Sequence, residues 1–140
     1  MLAIDDQLRS IGYGQVLACI NVFIPVPEKA SGEVQTRVPD LVVFKRRPER
    51  FFEVGQPPEL AIEILATRRG NVERTEKLDD YARAGIGEYW IVNPFGRCVE
   101  VYVLRQGEYE LRETISSGPL RPQAFPGLAI KLEEIWVVLA

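Results

Sequence analysis

Histidine is absent from the 140 residues, which excludes histidine-based triads, histidine general bases and histidine metal ligands. A large share of hydrolase mechanisms goes with them. Cysteine is scarce: Cys19 and Cys98 stand alone with no CxxC spacing, so neither a zinc site nor a disulfide framework is suggested, and a reduced setting fits. Cys19 lies in an apolar, strand-like run and reads as core rather than nucleophile. No apolar run reaches membrane-spanning length, and Met1 to Ile11 lacks the charged start and apolar core of a signal peptide, so a cytoplasmic protein is expected. Net charge is small as well. With 17 Lys and Arg against 20 Asp and Glu, the balance of -3 gives no global attraction for a polyanion, so nucleic-acid contact has to come from a local basic patch.

What is present suffices for one core. At 46% hydrophobic residues the chain is long enough for one compact domain and too short for two ordinary ones, so residues 1–140 are expected to form a single domain. Two basic groups are candidate nucleic-acid contacts: Lys45, Arg46, Arg47 and Arg50 ahead of Phe51, and Arg68, Arg69 and Arg74 after Leu65. Solvated loop charge is the alternative for both.

Periodicity supplies the elements. Ile4, Leu8 and Ile11 share helical spacing and predict a short amphipathic helix ending at Gly12. Gln15 to Ile24 is rich in β-formers and stops at Pro25 and Pro27, predicting one largely buried strand. Val34 to Val38 leads towards a second strand over Asp40 to Lys45, and Arg46 to Pro58 reads as a loop anchored by Phe51 and Phe52. Glu59 to Leu65 is the next strand, with Ala61, Glu63 and Leu65 on one face by the two-residue period. Asn71 caps a predicted helix running to about Ala84 and ended by Gly85, with Leu78, Tyr81 and Ala82 inward and Lys77 at the stripe's edge. Glu88 to Val92, Arg97 to Leu104 and Glu108 to Glu113 form a three-stranded antiparallel piece turning at Asn93-Pro94-Phe95-Gly96 and Arg105-Gln106-Gly107. Pro126-Gly127 precedes the apolar run Leu128 to Leu132, and Glu133 to Val138 packs the tail. The mixture favours an α/β fold with a mixed sheet over a doubly wound one.

Three charges sit in unusual places. Asp40 opens an apolar run after Pro39, Glu63 lies between Ala61 and Leu65, and Lys77 falls inside the helical stretch. An ionised carboxylate in an apolar strand is costly unless a cation or hydrogen bonds compensate it. For Glu63 a divalent metal is one such partner, and a plain salt bridge to Lys77 is the other. Glu88 reads as a solvated acid ahead of its strand, with a cap on the sheet edge near the site as the alternative.

The ordered set Val38-Pro39-Asp40-Leu41-Val42-Val43, Pro57 to Leu65, Glu76-Lys77-Leu78 with Tyr81, and Ala84 to Pro94 resembles the Uma-two family of the PD-(D/E)XK nuclease superfamily; Val99-Glu100-Val101-Tyr102 and Phe125-Pro126-Gly127-Leu128 also fit. Each piece is short, and their order and spacing carry the resemblance. It implies a restriction-endonuclease-like mixed β-sheet flanked by helices, and an endonuclease hydrolysing DNA phosphodiester bonds with Mg²⁺ or Mn²⁺. Asp40 matches the acid of the Pro-Asp pair and Glu63 the second acid. Leu65 stands where the motif usually has its lysine, and Lys77 matches the helical position to which that lysine can migrate. Asp40, Glu63 and the carbonyl of Ile64 would hold the cation, Lys77 would reach the attacking water or a phosphate oxygen, and Tyr81, at i+4, would position Lys77 or pack beneath it. Since such nucleases often dimerise to cut two strands, a homodimer is also implied.

Two departures bear on activity. Family members usually carry a longer region ahead of the Pro-Asp strand, so an N-terminally short member is expected, with Asp5 or Asp6 as stand-ins for an acid from the first helix. The serine and proline that commonly follow the strand acid are replaced by Ala66-Thr67-Arg68-Arg69. A catalytically inactive interaction or DNA-binding module of the same fold is therefore the alternative. Asn93 replaces an aspartate before proline and closes the same side-chain turn.

Overall fold

The structure is a computed structural model that describes residues 6–9, 14–18, 22–25, 34–46, 56–67 and 71–139. Its central sheet joins six strands: β1 (Gln15–Ala18), β4 (Leu41–Phe44), β5 (Leu60–Ile64), β6 (Glu88–Asn93), β7 (Cys98–Arg105) and β8 (Glu108–Ile115), in the order β1-β4-β5-β6-β7-β8. β5 and β6 run parallel, and the other neighbours are antiparallel. A parallel pair needs a long crossover, and the helix Asn71–Ala84 provides it. β2 (Val22–Pro25) pairs with β3 (Val34–Arg37), and β9 (Pro119–Leu120) with β10 (Ile130–Lys131). A further helix, Leu132–Leu139, follows β10.

Both faces of the sheet are covered, which is why β5 and β6 read as nearly continuous apolar runs. Leu60, Ile62, Trp90 and Val92 face one cluster, closed by Phe125, Leu128, Leu132 and Trp136 from the later part of the chain. Val42, Phe44, Ala61, Tyr89 and Ile91 face the other, closed by Tyr81 of the crossover helix and by Val22 and Ile24 of β2. Each fully buried large side chain contributes roughly 1.5–3 kcal/mol.

The crossover helix occupies the span expected for it, and its end is chemically explicit. Gly85, at φ +82, takes the left-handed conformation that side chains resist. Its N–H donates to Ala82 O at 3.1 Å and the Ile86 N–H donates to Tyr81 O at 3.2 Å, the paired bonds of a Schellman motif. Buried Ile86 joins Tyr81 in the same cluster, completing the motif's apolar contact. The helix is turned somewhat from the expected stripe: Asp80 and Tyr81 are buried, whereas Leu78 and Ala82 are only half-buried.

Other expectations change. The run from Gln15 to Ile24 is divided between β1, which pairs with β4, and β2, which pairs with β3, so its two halves belong to different sheets. Pro39 separates β3 from β4 because its ring nitrogen has no proton for a ladder. Within the apolar run Leu128 to Leu132 only β10 is a strand, and the tail is helical, with Glu133 and Glu134 in its first turn. Residues 6–9 are helical with Leu8 buried, while Ile4, Asp5, Ile11 and Gly12 lie outside the described residues, as do Cys19 and most of the loop over 46–58.

The β6–β7–β8 meander forms as expected. Asn93 Oδ1 accepts from the N–H groups of Phe95 and Gly96, both at 3.0 Å, which closes the turn. Between β7 and β8 the register shifts: Val101 faces Glu113 and Tyr102 faces Leu111, so Arg112 is the extra residue of a bulge. Bulges re-aim side chains, and Arg112 Nη1 lies 3.2 Å from Glu88 Oε1.

Candidate active site

Asp40 and Glu63 are brought face to face by strand register. β4 and β5 pair Leu41 with Ile62, Val42 with Ala61 and Val43 with Leu60. One step further in that register sets Asp40 opposite Glu63. Alternation puts both on the face of Val42, Phe44 and Ala61, the face covered by the helix. Like charges directly opposed across two strands repel, so this pair calls for positive charge or hydrogen-bond donors.

Glu63 finds both. It is 6% exposed, and its two oxygens are held separately: the Tyr81 hydroxyl donates to Oε1 at 2.7 Å, and Lys77 Nζ donates to Oε2 at 3.2 Å. Lys77 and Tyr81 are one helical turn apart, so the pair grips one carboxylate from one helix face. Burial still pushes the Glu63 carboxyl above its ordinary range, with the Asp40 charge adding to the rise and Tyr81 and Lys77 opposing it. Tyr81, fully buried, is likewise pushed up, first by burial and then by the Glu63 charge. The phenol is therefore a fixed donor across the physiological range.

Asp40 is held by the backbone. Its Oδ2 accepts from Ile64 N–H at 2.6 Å, and in a strand the carbonyl of the same residue points to the same side. Pro39 stands opposite Ile64 by the continued register and has no N–H to give that carbonyl. The Pro-Asp sequence thus serves two ends: the aspartate side chain takes the Ile64 N–H in place of a backbone carbonyl, and proline offers the Ile64 carbonyl no ladder donor.

These groups fit a small, hard cation that takes one or two carboxylates and keeps several waters. The oxygens that would serve it are those of the Asp40 and Glu63 carboxylates and the Ile64 carbonyl. Among the described residues, no group of three or more acidic or cysteine side chains forms a richer cage.

The expected site residues divide by position. Asp40, Glu63, Ile64, Lys77 and Tyr81 come together. Lys45 and Arg46 are exposed but follow the far end of β4, which at about 3.3 Å per residue places Lys45 roughly 17 Å along the strand from Asp40. Arg46 instead lines a groove of about 920 Å³ with Phe44, Glu59, Glu88 and Gln123, at the opposite end of the sheet. Arg47, Arg50, Arg68 and Arg69 lie outside the described residues, and Asp6 and Arg74 lie on helical backbone.

Glu88 corrects its sequence reading. It is buried, at 2% exposed, with Arg112 beside it and the Gln123 N–H donating to Oε2 at 3.1 Å. Burial pushes its carboxyl up, opposed first by Arg112. It starts β6 on the face away from Glu63, so it is not part of the Asp40 site. Arg37 and Asp80 escaped notice in the sequence. Arg37 Nε donates to Asp80 Oδ2 at 2.7 Å, joining β3 to the helix of Lys77. The one signal for them was an acid pair at Asp79-Asp80 with Arg83 at i+3 of Asp80.

Comparison with known proteins bears on the fold and the family. A crystal structure from Anabaena variabilis, described as a "putative nuclease belonging to DUF820", superposes with a TM-score of 0.72 at 19% identity, covering 99% of this chain and 76% of that one. The shared fold is that of a nuclease-like mixed sheet flanked by helices. No curated protein matches the chain. The Uma2 family, described as "Putative restriction endonuclease", matches residues 3–133, and the chain belongs to that family.

Proposed function

We propose that the chain is a metal-dependent endonuclease that hydrolyses DNA phosphodiester bonds, with Asp40, Glu63 and Lys77 as its reacting-site groups and Mg²⁺ or Mn²⁺ as its cofactor. One observation carries the reading: Glu63, buried and opposite Asp40, has each oxygen positioned by a different side chain. A buried acid maintained against like charge is what a cation site requires.

The residues divide the work. Asp40, Glu63 and the Ile64 carbonyl would hold the cation. When bound, the divalent ion lowers the pKa of water and offsets charge on the phosphate. Tyr81 keeps the Glu63 carboxylate from rotating, and Lys77 directs its ammonium group to a phosphate oxygen or to the attacking water. Without histidine, no side chain here supplies the usual neutral-pH base. The same reading takes the chain as one nuclease-like domain acting in the cytoplasm, with a homodimer as the form that cuts both strands.

A second reading is favoured by the Lys77–Glu63 contact at 3.2 Å. That ion pair satisfies Glu63 without any metal, as in a non-catalytic module that keeps the fold to bind DNA or a second copy. Calorimetry with Mn²⁺ and cleavage of supercoiled DNA in Mg²⁺ separate the two. The nuclease reading expects Mn²⁺ binding and nicking, both lost in Glu63→Gln. Absence of metal-dependent cleavage, with equal Mn²⁺ affinity in both proteins, would leave the module.

A further inference from the structure

Asp80 raises a question that the site residues do not answer. It is a carboxylate on the crossover helix, 6% exposed, and a buried charge is tolerated only when paired and hydrogen-bonded. Arg83, one turn on, reaches Oδ1 at 3.2 Å. The stronger partner comes from outside the helix: Arg37 Nε donates to Oδ2 at 2.7 Å, and Arg37 Nη2 stands 3.9 Å from Glu76 Oε2.

The spacing is informative. Arg37 meets the helix at Glu76 and Asp80, and the site uses Lys77 and Tyr81. Each contact of Arg37 immediately precedes a residue that touches Glu63. Arg37 also lies three residues before Asp40, with Pro39 stiffening the link. One planar guanidinium thus ties the segment leading to one carboxylate to the two helical turns that orient the other.

We infer that Arg37 is a positioning residue which, through Asp80, sets the rotation of the crossover helix so that Lys77 and Tyr81 meet Glu63. Apolar packing gives this helix little angular definition, because Tyr81 is its one fully buried large side chain among those described. With side-chain tips about 6 Å from the axis, a rotation of about 20° moves them roughly 2 Å. That breaks a hydrogen bond, and misplacements of about 1 Å can cost on the order of 100-fold in rate.

The inference rests on the nuclease reading for its effect on rate, but the positioning itself has its own readout. A buried, hydrogen-bonded Tyr81 hydroxyl gives a slowly exchanging proton resonance, assigned by its loss in Tyr81→Phe. Arg37→Gln and Asp80→Asn should each shift or abolish that resonance while circular dichroism stays that of the folded protein, and Arg37→Lys should restore part of it. Cleavage should show a kcat lowered about 10-fold or more in Arg37→Gln, KM within about 3-fold, and no further loss when Arg37→Gln is added to the Lys77→Met/Tyr81→Phe pair. An unchanged Tyr81 resonance in both Arg37→Gln and Asp80→Asn overturns the inference, as does a kcat loss additive with that pair. Wild-type protein that cuts nothing in Mg²⁺ refutes the nuclease reading instead, and the resonance still decides the positioning.

Discussion

Tyr81 donates its hydroxyl proton to Glu63 Oε1 at 2.7 Å from a position with no exposure to solvent. The bond joins the crossover helix to β5 at a buried strand acid on the face that the helix covers. A hydrogen bond to a charged acceptor is worth about 1.5–3 kcal/mol. Tyr81→Phe keeps the ring and its edge-on contact with Tyr89, whose centroid is 5.0 Å away, and removes the donor alone. Chemical denaturation should show a loss of about 2 kcal/mol.

Glu63→Gln should separate stability from function. The amide oxygen can still accept from Tyr81, and the cost of burying charge disappears. Melting temperature should stay level or rise by a few degrees, since about 1 kcal/mol corresponds to roughly 3 °C in a chain of this size. Mn²⁺ affinity, read by calorimetry, should fall at least about 10-fold.

Stability should also vary with pH in a definite direction. The folded Glu63 carboxyl lies above its ordinary 4.5 because burial disfavours its charge, so the folded state holds that proton more tightly than the unfolded one. Its contribution is complete below pH 4.5 and is lost as pH rises through the folded value. Glu88 is raised for the same reason and acts in the same sense. In urea titrations just above pH 4.5, the difference in stability between Glu63→Gln and wild type should grow in favour of the variant as pH increases.

Asp40→Asn tests the strand end. The amide oxygen introduced there can still accept from Ile64 N–H, so the β4–β5 junction should hold and melting should change by no more than a few degrees. The loss of charge opposite Glu63 should abolish Mn²⁺ binding within the calorimeter's range. A variant that binds as wild type would remove Asp40 from the site.

Gly85→Ala tests the helix terminus. The added methyl group meets Pro57 Cγ at 3.7 Å, an ordinary contact, but the residue must keep φ +82. The conformational cost is about 1–2 kcal/mol, visible as a lower denaturation midpoint with an unchanged slope.

Legibility in the sequence followed the range of the interactions. Glu63 was readable because a two-residue period exposes an acid among apolar neighbours, and Lys77 with Tyr81 because i and i+4 share a helix face. Gly85 marked its helix end by its own conformational freedom. The partners Arg37 and Asp80 are 43 positions apart, and no local period links them. Glu88 looked solvated because Arg112, its neutralising partner, reaches it only after a bulge in a strand two places away in the sheet. The break between β1 and β2 was hidden because both halves are apolar and only their partners differ. Lys45 and Arg46 were read as a basic patch from their clustering alone, which does not show that a strand's length separates them from Asp40.

The bulge at Arg112 bears on how the molecule meets others of its kind. β8 forms one rim of the six-stranded sheet, and a straight rim of that length would be a template on which a foreign strand could grow. The inserted residue kinks the rim, and Glu108, Glu110, Arg112 and Glu113 load it with charge, two devices by which natural proteins resist edge-to-edge aggregation. Copies that associate at working concentration should therefore do so through other surfaces, leaving β8 a closed border.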